Sequence, residues 1–184
     1  TGVRNIILSS SCATYGVPDT LPISESEPQA PINPYGRTKL MMEHIVEDYA
    51  EAYGIRYVSL RYFNACGADP DGELSERHDP ETHLIPRALM AASGQIPHLA
   101  VFGDDYETED GTCVRDYIHV TDLARAHVLA TGYLADGGVS AAFNLGTGRG
   151  VSIREILTAI HRVTGKQVPT VMEPRRAGDP PALY

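Results

Sequence analysis

Short runs of β-branched and aromatic residues alternate along this chain with stretches of helical periodicity, which restricts it to a layered α/β fold with a largely parallel sheet. Val3–Leu8 is an apolar run passing into the polar Ser9-Ser10-Ser11, so a buried strand is expected to end there in a loop. The stretch from Ser11 to Pro31, rich in Ser, Pro and Glu, reads as loop. Asn33-Pro34 then supplies a helix N-cap and a first-position proline, Leu40, Ile45, Tyr49 and Ala52 form an apolar stripe, and Gly54 is the stop. Ile55–Phe63 predicts a second strand, Cys66–Thr82 a long polar loop with a turn at Asp69-Pro70-Asp71-Gly72, His83–Ser93 a helix and Leu99–Phe102 a short strand. An acidic loop over Asp104–Thr112 precedes a helix capped at Thr121-Asp122 and ending near Leu134. A strand at Ala142–Leu145, a helix from Ser152 to Thr164 and a strand at Val168–Met172 complete the pattern.

Bulk properties narrow the function. A formal charge of −9 over 184 residues is wrong for a nucleic-acid surface, so any phosphorylated ligand must be met by a few local arginines. No apolar run approaches the roughly 18 residues of a membrane helix. Three cysteines, Cys12, Cys66 and Cys113, lack any C-x-x-C pair and suit a reducing cytoplasm better than a disulfide framework. The chain opens on Thr1 and reads at once as a strand, so both ends are expected to be cuts in a longer protein.

The sharpest chemical feature is Tyr35-Gly36-Arg37-Thr38-Lys39. Residues four apart share one helix face. A free tyrosine, with a pKa of about 10, is a poor base at neutral pH, and a neighbouring ammonium favours its phenolate. Taken alone, Y-x-x-x-K is more often a surface pair than a catalytic one. Ser11 stands where a parallel strand ends, one connection before the Tyr-Lys helix, and its hydroxyl could share a substrate oxygen with Tyr35. Gly146-Thr147-Gly148-Arg149-Gly150 invites a phosphate-loop reading but lacks the G-x-G-x-x-G spacing, and is read as a tight turn. The seven histidines show no H-E-x-x-H spacing, so no metal is expected.

The run Ser9-Ser10-Ser11-Cys12-Ala13-Thr14-Tyr15-Gly16 with Pro34-Tyr35-Gly36-Arg37-Thr38-Lys39 resembles the extended short-chain dehydrogenase/reductase family. Leu60–Asn64, His83–Pro86, Phe102–Tyr106, Glu109–Val120 and Pro174–Asp179 are similar to segments of its UDP-hexose 4-epimerases, in the same order. The resemblance implies the C-terminal part of a Rossmann-type parallel sheet plus a smaller α/β substrate-binding domain. Residues 1–64 would be a partial NAD-binding domain, and 65–184 mainly a UDP-sugar domain with segments returning to the first sheet. It implies NAD as cofactor, a UDP-hexose as substrate and a homodimer for the full-length protein. The family's glycine-rich NAD-binding turn would precede Val3.

By the same resemblance Ser11, Tyr35 and Lys39 are the catalytic and cofactor-binding triad, and Phe63 lies beside the nicotinamide. Asn64, Leu84, Ala100 and Phe102 line the uridine diphosphate site, while Arg115, Arg176 and Asp179 clamp diphosphate and ribose. Leu183 would gate the pocket beside the sugar 2-substituent and leave room for an acetamido group. The nearest rivals, a 4,6-dehydratase or a decarboxylase, carry an acidic residue just after the catalytic Ser or Thr. Here that stretch is Cys12-Ala13-Thr14. Epimerases for UDP-N-acetylglucosamine or UDP-glucuronate, and a non-catalytic nucleotide sensor on the same fold, remain alternatives.

Overall fold

The computed structural model describes residues 2–184. In chain order the elements are β1 (Asn5–Ser11), a short 3-10 turn (Cys12–Thr14), α1 (Pro34–Tyr53), β2 (Arg56–Tyr62), β3 (Asn64–Cys66), α2 (Leu84–Ser93) and β4 (Leu99–Phe102). They continue with β5 (Val114–Arg115), β6 (Tyr117–His119), α3 (Val120–Ala135), β7 (Ala141–Leu145), β8 (Val151–Ser152), α4 (Ile153–Thr164), β9 (Thr170–Glu173) and β10 (Ala182–Leu183). The α/β class expected from the alternation is the class observed. The chain divides into two compact units, residues 1–67 with 116–149 and 183–184, and residues 68–115 with 150–182.

The first unit is built on a parallel sheet ordered β1-β2-β7. Successive side chains of a strand face opposite sides, so β2 shows what covers each face. Val58 and Leu60 pack with Ala130 and Leu134 of α3, whereas Arg61 meets Glu43 of α1. The two helices therefore cover opposite faces of β2, which is buried throughout its middle.

Local chemistry sets the ends of these helices. Asn33 caps α1 by accepting from Gly36 N at 2.8 Å, and Gly54 ends it in the left-handed conformation at φ 65°. Two boundaries and one helix face differ from expectation in ways that bear on the site. The serines continue β1 instead of leaving it, because Ser9, Ser10 and Ser11 pair in register with Leu60, Arg61 and Tyr62. The cap of α3 is His119, whose Nδ1 accepts from Thr121 N, so the helix begins one residue before Thr121. Finally, the stripe on α1 is not its inner face. Ile45 and Tyr49 are exposed, while Gly36 and Glu43 are the buried positions.

The second unit pairs β4 with β9 in parallel and β5 with β8 antiparallel. Its core comprises Ala88 and Ala91 of α2, Leu99 and Val101 of β4, Tyr106, Cys113, and Ile153 and Ile160 of α4. Ser152 starts α4 with a reciprocal cap: its Oγ accepts from Glu155 N at 3.1 Å, and Glu155 accepts from Ser152 N at 2.8 Å. Among the described residues no helix is long and apolar enough to cross a membrane.

Candidate active site and phosphate-binding residues

In the first unit, Ser11 is the last residue of β1 and Tyr35 lies in the first turn of α1. Gly36 lets these two segments meet. A Cβ there would stand 2.3 Å from Ala13 O, so only glycine allows the first turn of α1 to rest on the turn that follows Ser11. Lys39, one turn further along, donates from Nζ to Ser9 O at 2.8 Å and lies 5.7 Å from the centre of the Tyr35 ring. Helix α1 is thus held to the carboxyl end of β1 at two points, Gly36 and Lys39, and Tyr35, next to the first of them, is 56% exposed.

Ser11 Oγ accepts from Ala13 N at 3.2 Å, which leaves its own O–H to donate. Ser9 is gripped on its other side as well. Its Oγ is 2.9 Å from Tyr62 Oη, which in turn is 2.6 Å from His127 Nε2. Lys39 has three N–H donors and spends one on Ser9 O. The remaining two, with the exposed Tyr35 hydroxyl, are the donor chemistry that a ribose diol requires, so this constellation fits the sugar of a dinucleotide. Phe63 is half-buried against Cys12, Tyr15, Ile23 and Leu183. Asn64, in β3, gives its backbone N–H to Asp116 O at 2.9 Å.

Leu183, expected at the edge of a sugar pocket, is only 6% exposed and packs among Cys12, Tyr15 and Ile23. The turn at 146–148 is not an open anion nest. The Asp116 carboxylate, fully buried, accepts from Thr147 N at 2.7 Å, Thr147 Oγ1 at 2.8 Å and Gly148 N at 2.7 Å. An internal anion already fills the place a phosphate would take. The same carboxylate explains Gly146, where a Cβ would come within 2.6 Å of Asp116 Oδ2.

In the second unit the structure joins four of the expected ligand-binding residues in pairs. Arg115, 9% exposed, forms an ion pair with Asp179 and also donates from Nη1 to Val114 O at 2.7 Å. Arg176 is exposed, and its guanidinium lies 3.9 Å from the centre of the Phe102 ring. Ala100 is half-buried in β4, between the buried Leu99 and Val101 that face the core. Leu84, the first residue of α2, packs against the same core.

Sequence reasoning passed over Tyr106. Its hydroxyl is buried without a hydrogen-bond partner. Burial, then the negative charge of Asp179, pushes its pKa up, so it stays a neutral donor. Arg115, Arg176 and the unspent Tyr106 hydroxyl are thus, within this unit, donors of the types that bind phosphate oxygens.

Residues 1–146 match the family described as NAD dependent epimerase/dehydratase. The chain belongs to that family. Among its relatives, the UDP-glucose 4-epimerase of Halalkalibacterium halodurans is 54% identical over 98% of this chain and 54% of that protein. A crystal structure of UDP-glucose 4-epimerase from Brucella ovis in complex with NAD is 71% identical, with a TM-score of 0.93, over 98% of this chain and 56% of that one. The Bifidobacterium longum UDP-glucose 4-epimerase, crystallised with NAD+ and UDP, is 42% identical with a TM-score of 0.92, over 98% of this chain and 55% of that one. The chain spans about half the length of the curated epimerase/dehydratase relatives it matches.

Proposed function

We propose that the protein carrying this chain interconverts the C4 epimers of a UDP-hexose, UDP-glucose and UDP-galactose, with NAD as cofactor. The observation that carries the proposal is the attachment of the Tyr35–Lys39 turn to the end of β1 beside Ser11, through Gly36 and the Lys39–Ser9 bond, in a chain of this family. Tyr35 takes the proton from the sugar 4-hydroxyl and later returns it. Ser11 donates a hydrogen bond to the same oxygen. Lys39 holds the cofactor ribose and steadies the negative charge on the Tyr35 oxygen. Bound NAD supplies the hydride acceptor and donor at C4, so a transient 4-keto sugar connects the two epimers. Phe63 flanks the nicotinamide. Asn64, Leu84, Ala100 and Phe102 receive the uridine diphosphate, and Asp179 meets its ribose. The compartment this reading assigns is the cytoplasm. Incubating the full-length protein with UDP-galactose and following the anomeric protons by NMR tests the proposal. UDP-glucose should grow in to a fixed ratio, and an unchanged spectrum overturns the reading.

The arginines give a separate test. Arg115 and Arg176 bind the diphosphate in this proposal, Arg115 by sharing its fork between Asp179 and ligand. Replacing either with Ala in the full-length protein should weaken UDP binding by about 1.5–3 kcal/mol per charge-assisted hydrogen bond lost. Arg176→Ala is the cleaner variant, because its side chain is exposed, whereas Arg115→Ala also takes the ion-pair partner from the half-buried Asp179. Calorimetric titration with UDP checks both, and unchanged affinity in both returns them to structural roles.

A further inference from the structure

The second unit contains a group of side chains that the proposed chemistry does not use. On the stretch from Glu76 to His83, the ligating atoms of Glu76, His78, Glu81 and His83 all lie within 4.8 Å of one another. We propose that these four residues form a binding site for one divalent first-row transition ion of the Zn2+ type. The spacing, E-x-H-x-x-E-x-H, is not one of the familiar helical ligand patterns, because the set sits on a loop and closes onto the first turn of α2.

The separations suit a small ion. His78 Nδ1 is 3.2 Å from Glu76 Oε1 and 3.6 Å from Glu81 Oε2. His83 Nδ1 is 2.5 Å from Glu76 Oε1 and 3.2 Å from Glu81 Oε1. Four ligands set tetrahedrally at about 2.0–2.1 Å from a zinc ion stand about 3.3–3.4 Å from each other; the four imidazole–carboxylate distances, which involve both oxygens of Glu81, lie on either side of that value, and the whole set closes within 4.8 Å. Two carboxylates neutralise a doubly charged ion, and two imidazole nitrogens favour a borderline metal over Mg2+ or Ca2+.

The loop also fixes one ligand in advance. Glu81 Oε1 accepts from Thr82 N at 2.7 Å and from His83 N at 2.8 Å, while Arg87 Nη1 donates to Glu81 O at 3.1 Å from within α2. Such hydrogen bonds orient a metal-binding carboxylate before the ion arrives. The site is open to solvent on three of its four residues, so an ion has a path in.

Equilibrium dialysis of the full chain against Zn2+, with metal analysis of the retentate, tests the proposal. One ion per chain is expected, undisturbed by excess Mg2+. The double substitution His78→Gln with His83→Asn should lower affinity by at least the 10–100-fold, roughly, that loss of a mere outer-shell partner brings. His83 stands at the N-cap of α2 without a side-chain bond to it, and Asn suits that position, so the helix survives. Glu76→Gln, which leaves both histidines in place, is a second variant and should also weaken binding. His44→Gln and His98→Gln, exposed histidines elsewhere, should bind as the parent does. Binding below one equivalent, displacement by Mg2+, or cluster variants that match the parent would each overturn the site and leave these residues as exposed ion pairs only.

Discussion

Tyr35→Phe in the full-length protein should slow turnover of UDP-galactose by about 10²–10⁴-fold, the range that a positioned general base contributes. Thermal unfolding and UDP affinity should remain those of the parent. The expectation of an intact fold rests on the surroundings of the side chain. It is 56% exposed, it lies on the first turn of a helix already capped by Asn33, and no hydrogen bond to its hydroxyl is seen among the described residues. Phenylalanine keeps the ring that Lys39 faces at 5.7 Å and removes only the oxygen. Loss of turnover with retained stability and ligand binding therefore isolates proton transfer. Parent-like turnover in the variant would remove Tyr35 from the chemistry and with it the reading of Ser11 and Lys39 as its partners.

What the sequence disclosed divides along physical lines. The ends of α1 and α4 were legible, because a cap is a contact within a few residues, although the start of α3 was read too late. Asn33 with Gly54, and Ser152 with Thr164, mark α1 and α4 where the structure begins and ends them. The extension of β1 through Ser9–Ser11 was not, since three hydroxyls in a row read as a loop until β2 supplies the pairing. The inner face of α1 was misread for a related reason. Periodicity scores apolar residues, and the position this helix buries is the charged Glu43, which is tolerated only because Arg61 lies 18 residues away in sequence and beside it in space. Asp116 is a second case: its hold on Thr147 and Gly148 spans 31 residues or more and carries no local signature. Of the candidate site, the Tyr35–Lys39 spacing was visible as a motif, whereas the role of Gly36 in bringing its turn against Ala13 requires coordinates.

The buried pair carries the second large effect. Arg61 and Glu43 are 5% and 1% exposed, and the guanidinium reaches the carboxylate from Nε at 3.0 Å and from Nη2 at 2.6 Å. Ser10 Oγ also donates to Glu43, Gln29 Nε2 does so at 3.1 Å, and Arg61 Nη1 donates to Tyr15 Oη at 2.8 Å. Removing one partner strands the other charge in the interior, so Arg61→Ala should destabilise the protein by about 3–5 kcal/mol in urea unfolding. The double substitution Arg61→Met with Glu43→Leu should recover much of that loss, since well-packed apolar replacements of buried pairs are often neutral or better. The pH dependence separates charge from packing. Burial pushes the Glu43 carboxyl up, but the bonds from Arg61 and Ser10 outweigh it and hold the group below its usual range. A depressed folded-state value means that the parent gains stability from Glu43 above the unfolded carboxylate value, about 4.3, and loses it as the pH falls through the lower folded value. In Arg61→Ala the burial acts with less opposition, Glu43 takes up its proton at a higher pH, and the ionised form is what the folded state then disfavours. The deficit of the variant should therefore be largest near neutral pH and shrink as the pH falls through the carboxylate range. A deficit of constant size across that window would place the cost in lost packing around the Arg61 side chain rather than in a stranded carboxylate.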